Sequence, residues 1–258
     1  MNIADIERRS RTQDCGSLLD MEKYARTIDF QRKVDDAMRT LDNFYRITKN
    51  PVISCGGGKD GTAVALLSIR IGSNAPIVCA DPPNPLPDRE QHKSALRDYL
   101  GVGWSSVPYD WDVEAVLSGD QKYPEGLKMR ELTRWSREND VDGVVFGIRA
   151  AESRSREVNL AVRGKIYKTP DGLRCQPIAK WTAQDSICLA LRMGAPINPV
   201  YEKMGGVGDF EQLHDGTWWP HGFGDRLGWM RKYYPDYADR YERALLLHSE
   251  VGDKPCQY

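Results

Sequence analysis

The chain has 258 residues, long enough for one α/β domain with a large buried core or for such a domain with an elaboration. Charged residues make up 28% of it, yet the formal net charge is −1, which excludes a chain built as a whole to bind polyanions. The segment Met1-Asn2-Ile3-Ala4-Asp5-Ile6 lacks the apolar core of a secretory signal, and no apolar run approaches the roughly 20 residues of a membrane span. A cytoplasmic protein with no membrane partner is expected.

Residues 1–25 are polar and unpatterned and read as a mobile N-terminal arm. Phe30, Val34, Ala37, Met38, Leu41, Phe44 and Tyr45 then recur at three- and four-residue intervals, the apolar face of a helix that Pro51 ends. Val52-Ile53-Ser54-Cys55 is an apolar strand running into Gly56-Gly57-Gly58-Lys59-Asp60-Gly61-Thr62, after which Ala63-Val64-Ala65-Leu66-Leu67 favours helix. Pro76-Ile77-Val78-Cys79-Ala80 reads as a second buried strand with Asp81 at its carboxyl end, before a proline-rich loop that suits neither helix nor sheet interior. A polar helix at 89–100, a weaker strand at 104–109, a helix at 127–137 and a buried strand at 143–148 follow. Short apolar strands alternating with helices predict an α/β fold with a parallel sheet and crossovers, here assigned to a domain over 26–204. Residues 205–258 are rich in aromatics. Tyr237, Tyr241, Ala244 and Leu245 keep helical spacing there, so a helical cap with its own core is preferred over a base-stacking surface. Trp218 and Trp219, in a loop-like stretch, are the better candidates for touching a substrate.

The six cysteines are dispersed and form no CxxC pair, and the four histidines are scattered. Zinc-ribbon and thioredoxin readings fail on that spacing, and no iron–sulfur cluster is expected.

Three glycines in succession let the backbone turn closely around a ligand, and the helix start that follows adds unpaired N–H donors and the positive end of a dipole. An anion, a phosphate or pyrophosphate, belongs there. The loop is not a Walker A motif, because Asp60 and not Ser or Thr follows Lys59. In parallel sheets ligands gather beyond the carboxyl ends of strands, which adds Asp81 and the segment after Ile148 as candidates. That segment sets Arg149, Arg154 and Arg156 beside Glu152, where arginine forks suit phosphate or sulfate oxygens and Glu152 orients one of them or holds magnesium. Residues 149–180 carry eight basic residues against three acidic, a local positive surface.

The order Gly56-Gly57-Gly58-Lys59-Asp60-Gly61 resembles the Ser-Gly-Gly-x-Asp-Ser pyrophosphate loop (PP-loop) of the N-type ATP pyrophosphatases, with glycines where both serines stand. Ser54 and Thr62 sit next to those positions as partial substitutes. Gly147, Arg149, Glu152, Ser153 and Arg156 resemble the Gly-x-Arg-x-x-Glu-Ser-x-x-Arg signature of the phosphoadenosine phosphosulfate (PAPS) reductase family within that superfamily. Pro177, Ile178, Trp181, Thr182 and Asp185 are similar to its Pro-Ile-x-x-Trp-Thr-x-x-Asp segment, and Pro196, Asn198, Pro199 and Tyr201 to its Pro-x-Asn-Pro-x-Tyr turn. The resemblance implies an adenine nucleotide alpha hydrolase-like, Rossmann-like fold, a five-stranded parallel sheet flanked by helices. It implies ATP with Mg2+ as ligands: pyrophosphate over residues 54–62, Lys59 stabilising the leaving group, Asp60 positioning magnesium or bracing the loop, and Arg149 and Arg156 on the α phosphate or the second substrate.

Arg154, Lys180, Trp181 and Asp185 are substrate candidates, although a buried indole and a helix N-terminal carboxylate are the simpler readings of the last two. The family's reductases depend on a C-terminal Glu-Cys-Gly-hydrophobic-His tail that this chain lacks, its only tail thiol being Cys256. The sequence therefore favours adenylation of a nucleobase or nucleic-acid acceptor. Sulfonucleotide reduction through Cys256, a non-catalytic nucleotide sensor and a nucleic-acid-binding module are the alternatives.

Overall fold

The computed structural model describes residues 18–83, 85–112, 115–116, 121, 126–203 and 226–251. Helix α1 (Leu18–Ala25) precedes α2 (Ile28–Ile47), whose start is capped by Thr27 accepting the Phe30 N–H at 3.2 Å. Phe30, Val34, Ala37, Leu41 and Phe44 are buried, the stripe that the spacing predicts. The part of the expected arm that the structure describes is helical, and the rest of it lies outside the described residues. Residues 18–25 are helical because Met21 and Ala25 find a buried seat and Tyr24 Oη donates to Asp185 Oδ1 at 2.6 Å.

The chain continues through β1 (Pro51–Ser54), α3 (Lys59–Arg70), β2 (Ile77–Asp81), α4 (Pro87–Leu100), β3 (Trp104–Pro108), α5 (Leu127–Glu138) and β4 (Gly143–Phe146). A 3-10 turn (Ala150–Glu152), α6 (Arg154–Arg163), β5 (Ile166–Thr169), β6 (Gly172–Cys175), α7 (Ala183–Arg192) and the short α8 (Val200–Lys203) follow. Helices α9 (Arg226–Tyr233) and α10 (Pro235–Val251) close the described chain. The sheet order is β3-β2-β1-β4-β6-β5. The strands from β3 to β6 are parallel, while β5 pairs antiparallel with β6 through Ile166↔Cys175 and Thr169↔Gly172. The five parallel strands agree with the expected sheet, and the edge hairpin adds a sixth strand inside the segment that the sequence marks only by its positive charge.

One face of the sheet packs on the main core, where α3 is buried around nearly its whole circumference from Thr62 to Ser68. The other face gathers Val52, Val78, Val107 and Val144 against Leu127 and Leu132 of α5. The order reverses between β1 and β4, in register from Pro51↔Gly143 to Ser54↔Phe146, so their carboxyl ends flank the crevice where doubly wound sheets bind ligands.

The aromatics of α9 and α10 do not build the separate core expected for a cap: Trp229, Tyr233, Tyr234, Tyr237 and Tyr241 join the main core. Met230, Tyr234 and Ala238 are buried, Tyr237 Oη donates to Pro85 O at 2.8 Å, and Trp229 Nε1 donates to Lys203 O at 2.6 Å. Among the described residues no helix is long and apolar enough to cross a membrane.

Candidate active site at the glycine loop

Beyond β1 the backbone turns through Gly57 at φ +89°, where a Cβ would stand 3.3 Å from His92 Cδ2, and α3 begins at Lys59. Gly58 occupies the N-cap and offers no side chain to the first N–H groups of the helix. The Lys59 N–H instead donates to Tyr201 Oη at 2.9 Å. Gly147, just past β4, lies so close that a Cβ there would come within 2.4 Å of the Asp60 carbonyl. Only glycine lets the ends of β1 and β4 approach in this way.

This closeness shapes a cavity of about 340 Å3. Ser54, Gly56 and residues 58–61 line it from the loop side. Lys128, Met129 and Leu132 of α5, residues 146–148, Glu152, Arg156 and Tyr201 complete the wall. A run of charges lies along this wall and behind it. Asp60 Oδ1 accepts from Ser186 Oγ at 2.7 Å and pairs with Arg149 Nε at 2.9 Å, while Oδ2 stands 3.5 Å from Lys59 Nζ. The Arg149 side chain is 1% exposed and reaches Glu152 Oε1 at 3.7 Å with its Nη2. Glu152 Oε2 accepts the Arg149 backbone N–H at 3.1 Å and also binds Arg156. Three cations alternate with two carboxylates, so the run keeps one net positive charge facing the cavity. Burial first, and the neighbouring Arg149 charge second, lower the Arg156 pKa from its ordinary value; the guanidinium stays protonated at neutral pH.

Of the residues singled out by sequence, Ser54, Gly56, Gly58, Lys59, Asp60, Gly61, Gly147, Glu152 and Arg156 meet at one cavity. Arg149 is not among the residues lining it; 1% exposed, it lies behind the wall paired with Asp60. Thr62 is 3% exposed, its Oγ1 has no hydrogen-bond partner among the described residues, and it lines a small void of about 10 Å3 together with Gly57, Asn198 and the cavity residues Lys59 and Tyr201.

Asp81 lies outside the cavity as well. Its Oδ1 is taken by Lys93 at 3.1 Å, Arg89 at 3.3 Å and the Cys79 thiol at 3.1 Å. Burial raises the Asp81 pKa, but hydrogen bonds from Ser106, Cys79 and Lys93 outweigh it and leave the carboxyl below its ordinary value. Ser153 caps α6 by accepting the Arg156 N–H at 3.3 Å, Arg154 pairs with Glu157 at 2.5 Å on the surface, and Lys180 is exposed.

Trp181 and Asp185 take the structural readings. Trp181 packs on Phe30 with ring centroids 6.2 Å apart, and Asp185, fully buried, caps α7 and pairs with Lys33 at 2.7 Å. Trp218, Trp219 and Cys256 lie outside the described residues. Lys128, Met129, Leu132, Phe146, Ser186 and Tyr201 are site residues that sequence reasoning missed. Tyr201 and the neighbour of Ser186 belong to quoted motifs, which was the available signal; α5 carried none.

The sequence offers Asp60 either as a magnesium ligand or as a brace of the loop. Both oxygens of Asp60 face hydroxyl or cationic donors, the geometry of a brace. The thiols of Cys55, Cys79, Cys175 and Cys188 are buried. Burial pushes the pKa of Cys79 and Cys175 up, and that of Cys188 to about 12, so these three are protonated and poor nucleophiles at neutral pH.

Residues 50–257 match the family model of the phosphoadenosine phosphosulfate reductase domain. Among solved structures, the chain resembles the phosphoadenylyl-sulfate (PAPS) reductase of Candida auris, determined as a phosphate complex. The TM-score is 0.51 and the identity 12%, over 69% of this chain and 90% of that one. It also resembles the Candida glabrata FMN adenylyltransferase in complex with ATP, with a TM-score of 0.52 and 17% identity over 77% of this chain and 66% of that one. The same adenylyltransferase with FAD and inorganic pyrophosphate gives a TM-score of 0.50 and 19% identity over 77% and 67% of the two chains. No curated protein matches in sequence. At these identities the solved structures establish the PP-loop fold, and the family model covers most of the chain. The chain belongs to the phosphoadenosine phosphosulfate reductase domain family.

Proposed function

We propose that this chain binds an adenine nucleotide with its phosphates over residues 56–61, cleaves ATP between the α and β phosphates, and transfers the adenylyl group to an acceptor. The observation that carries this reading is the cavity of about 340 Å3 lined by the start of α3, which has no side-chain cap, together with Lys59, Lys128 and Arg156. An acceptor oxygen attacks the α phosphorus in line. The bond from that phosphorus to the bridging oxygen breaks, its electrons leave with pyrophosphate, and the acceptor's proton passes to water. Charge growing on the departing group is opposed by loop N–H donors, the positive end of α3 and Lys59, all held before the reaction begins. Lys128 and Arg156 neutralise further phosphate oxygens. Asp60, tied to Arg149 and Ser186, keeps the helix start in register.

The acceptor proposed is a nucleotide or nucleic acid. Arg130, Arg134 and Arg137 stand on one exposed face of α5, paired at its surface with Glu131 and Asp171, and the open groove of about 550 Å3 beside them shares Met129 with the loop cavity. The test is pyrophosphate release from α-labelled ATP, alone and with mononucleotides or oligonucleotides added. Arg156→Ala is expected to lower the rate about a hundredfold or more. Wild-type protein that releases no pyrophosphate with any acceptor rejects the reading. Sulfonucleotide reduction through Cys256 is the second reading, favoured by a family match that runs through residue 257. It predicts thiol-dependent sulfite release that Cys256→Ser abolishes.

A further inference from the structure

The loop holds glycine at the two positions where the pyrophosphate-loop pattern it resembles has serine, and the structure gives a physical reason at one of them. A Cβ on Gly61 would stand 3.2 Å from both Cα and Sγ of Cys55, so a side chain there is crowded by the residue that ends β1. The neighbouring hydroxyl of Thr62 borders the void behind the loop and not the cavity. A different hydroxyl meets the start of α3. Tyr201 is 5% exposed, stands between the void and the cavity and lines both, and accepts the Lys59 N–H through its Oη at 2.9 Å.

We propose that Tyr201 supplies the hydroxyl that this loop uses to hold a phosphate group, in place of the side chain missing at Gly61. The inference rests on the reading that the loop binds phosphate. Lys59 is the first residue of α3, so its N–H is one of the donors a helix leaves unused. A phenol that accepts this N–H through a lone pair still carries its own proton and is polarised toward donating it. The tyrosine thereby extends the donor end of the helix outward by one hydrogen bond. Its placement is rigid. It sits in α8, directly after a turn in which the 1%-exposed Asn198 accepts the Val200 N–H at 3.1 Å through Oδ1.

The experiment is calorimetric titration of the full chain with inorganic pyrophosphate, which needs no turnover. Tyr201→Phe keeps the ring and removes the hydroxyl. It is expected to weaken pyrophosphate about tenfold to a hundredfold, as loss of a hydrogen bond to a charged group does. An unchanged affinity overturns the proposal, even with a lower melting temperature, because it leaves Tyr201 a merely structural role. Tighter binding overturns it too, since the hydroxyl would then be a plug competing with phosphate for the Lys59 N–H. Should the variant not fold, the Lys59 amide resonance of 15N-labelled wild type is expected to move on pyrophosphate addition, and a resonance that stays still rejects the contact. Wild type that takes up no pyrophosphate also overturns it. Wild type that binds pyrophosphate but releases none from ATP defeats the adenylation reading alone.

Discussion

Asp60 accepts from Ser186 and pairs with Arg149, whose guanidinium is 1% exposed, so the carboxylate is the counter-charge of a buried cation before it is anything else. Removing one partner of such a pair leaves the other charged in a medium that solvates it poorly. Asp60→Asn is therefore expected to destabilise the fold by about 3 kcal/mol in urea denaturation. A loss of activity without that change would return Asp60 to a direct chemical role. The pattern Lys-Asp after three glycines announces a phosphate loop, but it does not say whether the acid faces the ligand or the protein. That depends on Arg149 and Ser186, 89 and 126 residues further along the chain. For the same reason Asp81, correctly read as a strand-end carboxylate, is spent on Arg89 and Lys93.

At the scale of elements, the close approach of β4 to the start of α3 decides whether a cavity exists. A methyl group on Gly147 would meet the Asp60 carbonyl at 2.4 Å, and the backbone of a helix start has no rotamer with which to yield. Gly147→Ala is expected to cost about 1–3 kcal/mol through overpacking and to abolish pyrophosphate binding, read by thermal melts and calorimetry on the same samples. The helix over 28–47 and the strands β1, β2 and β4 were legible because periodicity and apolar runs are local properties. Helix α1 was not. Its stability comes from Tyr24 joining Asp185 and from Met21 entering a core that the rest of the chain builds. The β5–β6 hairpin was hidden in a stretch whose charge drew attention away from its short alternation.

For the whole molecule, acid stability follows from the network at the end of β2. Hydrogen bonds from Ser106, Cys79 and Lys93 overcome burial and lower the Asp81 pKa in the folded state. A depressed carboxyl contributes stability that is fully present above its unfolded value and is lost as pH falls through the folded value. Asp81→Asn is thus expected to flatten the fall in stability below about pH 4. An acid limb identical to wild type in pH-dependent melts would remove Asp81 from that account.

The order of elements from α2 to β4, the glycine loop and the family were legible in the sequence itself, because glycine freedom, apolar period and motif spacing act over a few residues. Only the tertiary structure decided which of those residues share a cavity. The sheet reverses its order between β1 and β4, and this brings α5 with Lys128 and α8 with Tyr201 to the loop while turning Thr62 and Asp81 away from it. Such neighbours are set by packing between distant segments, and no local pattern encodes the direction in which a side chain finally points.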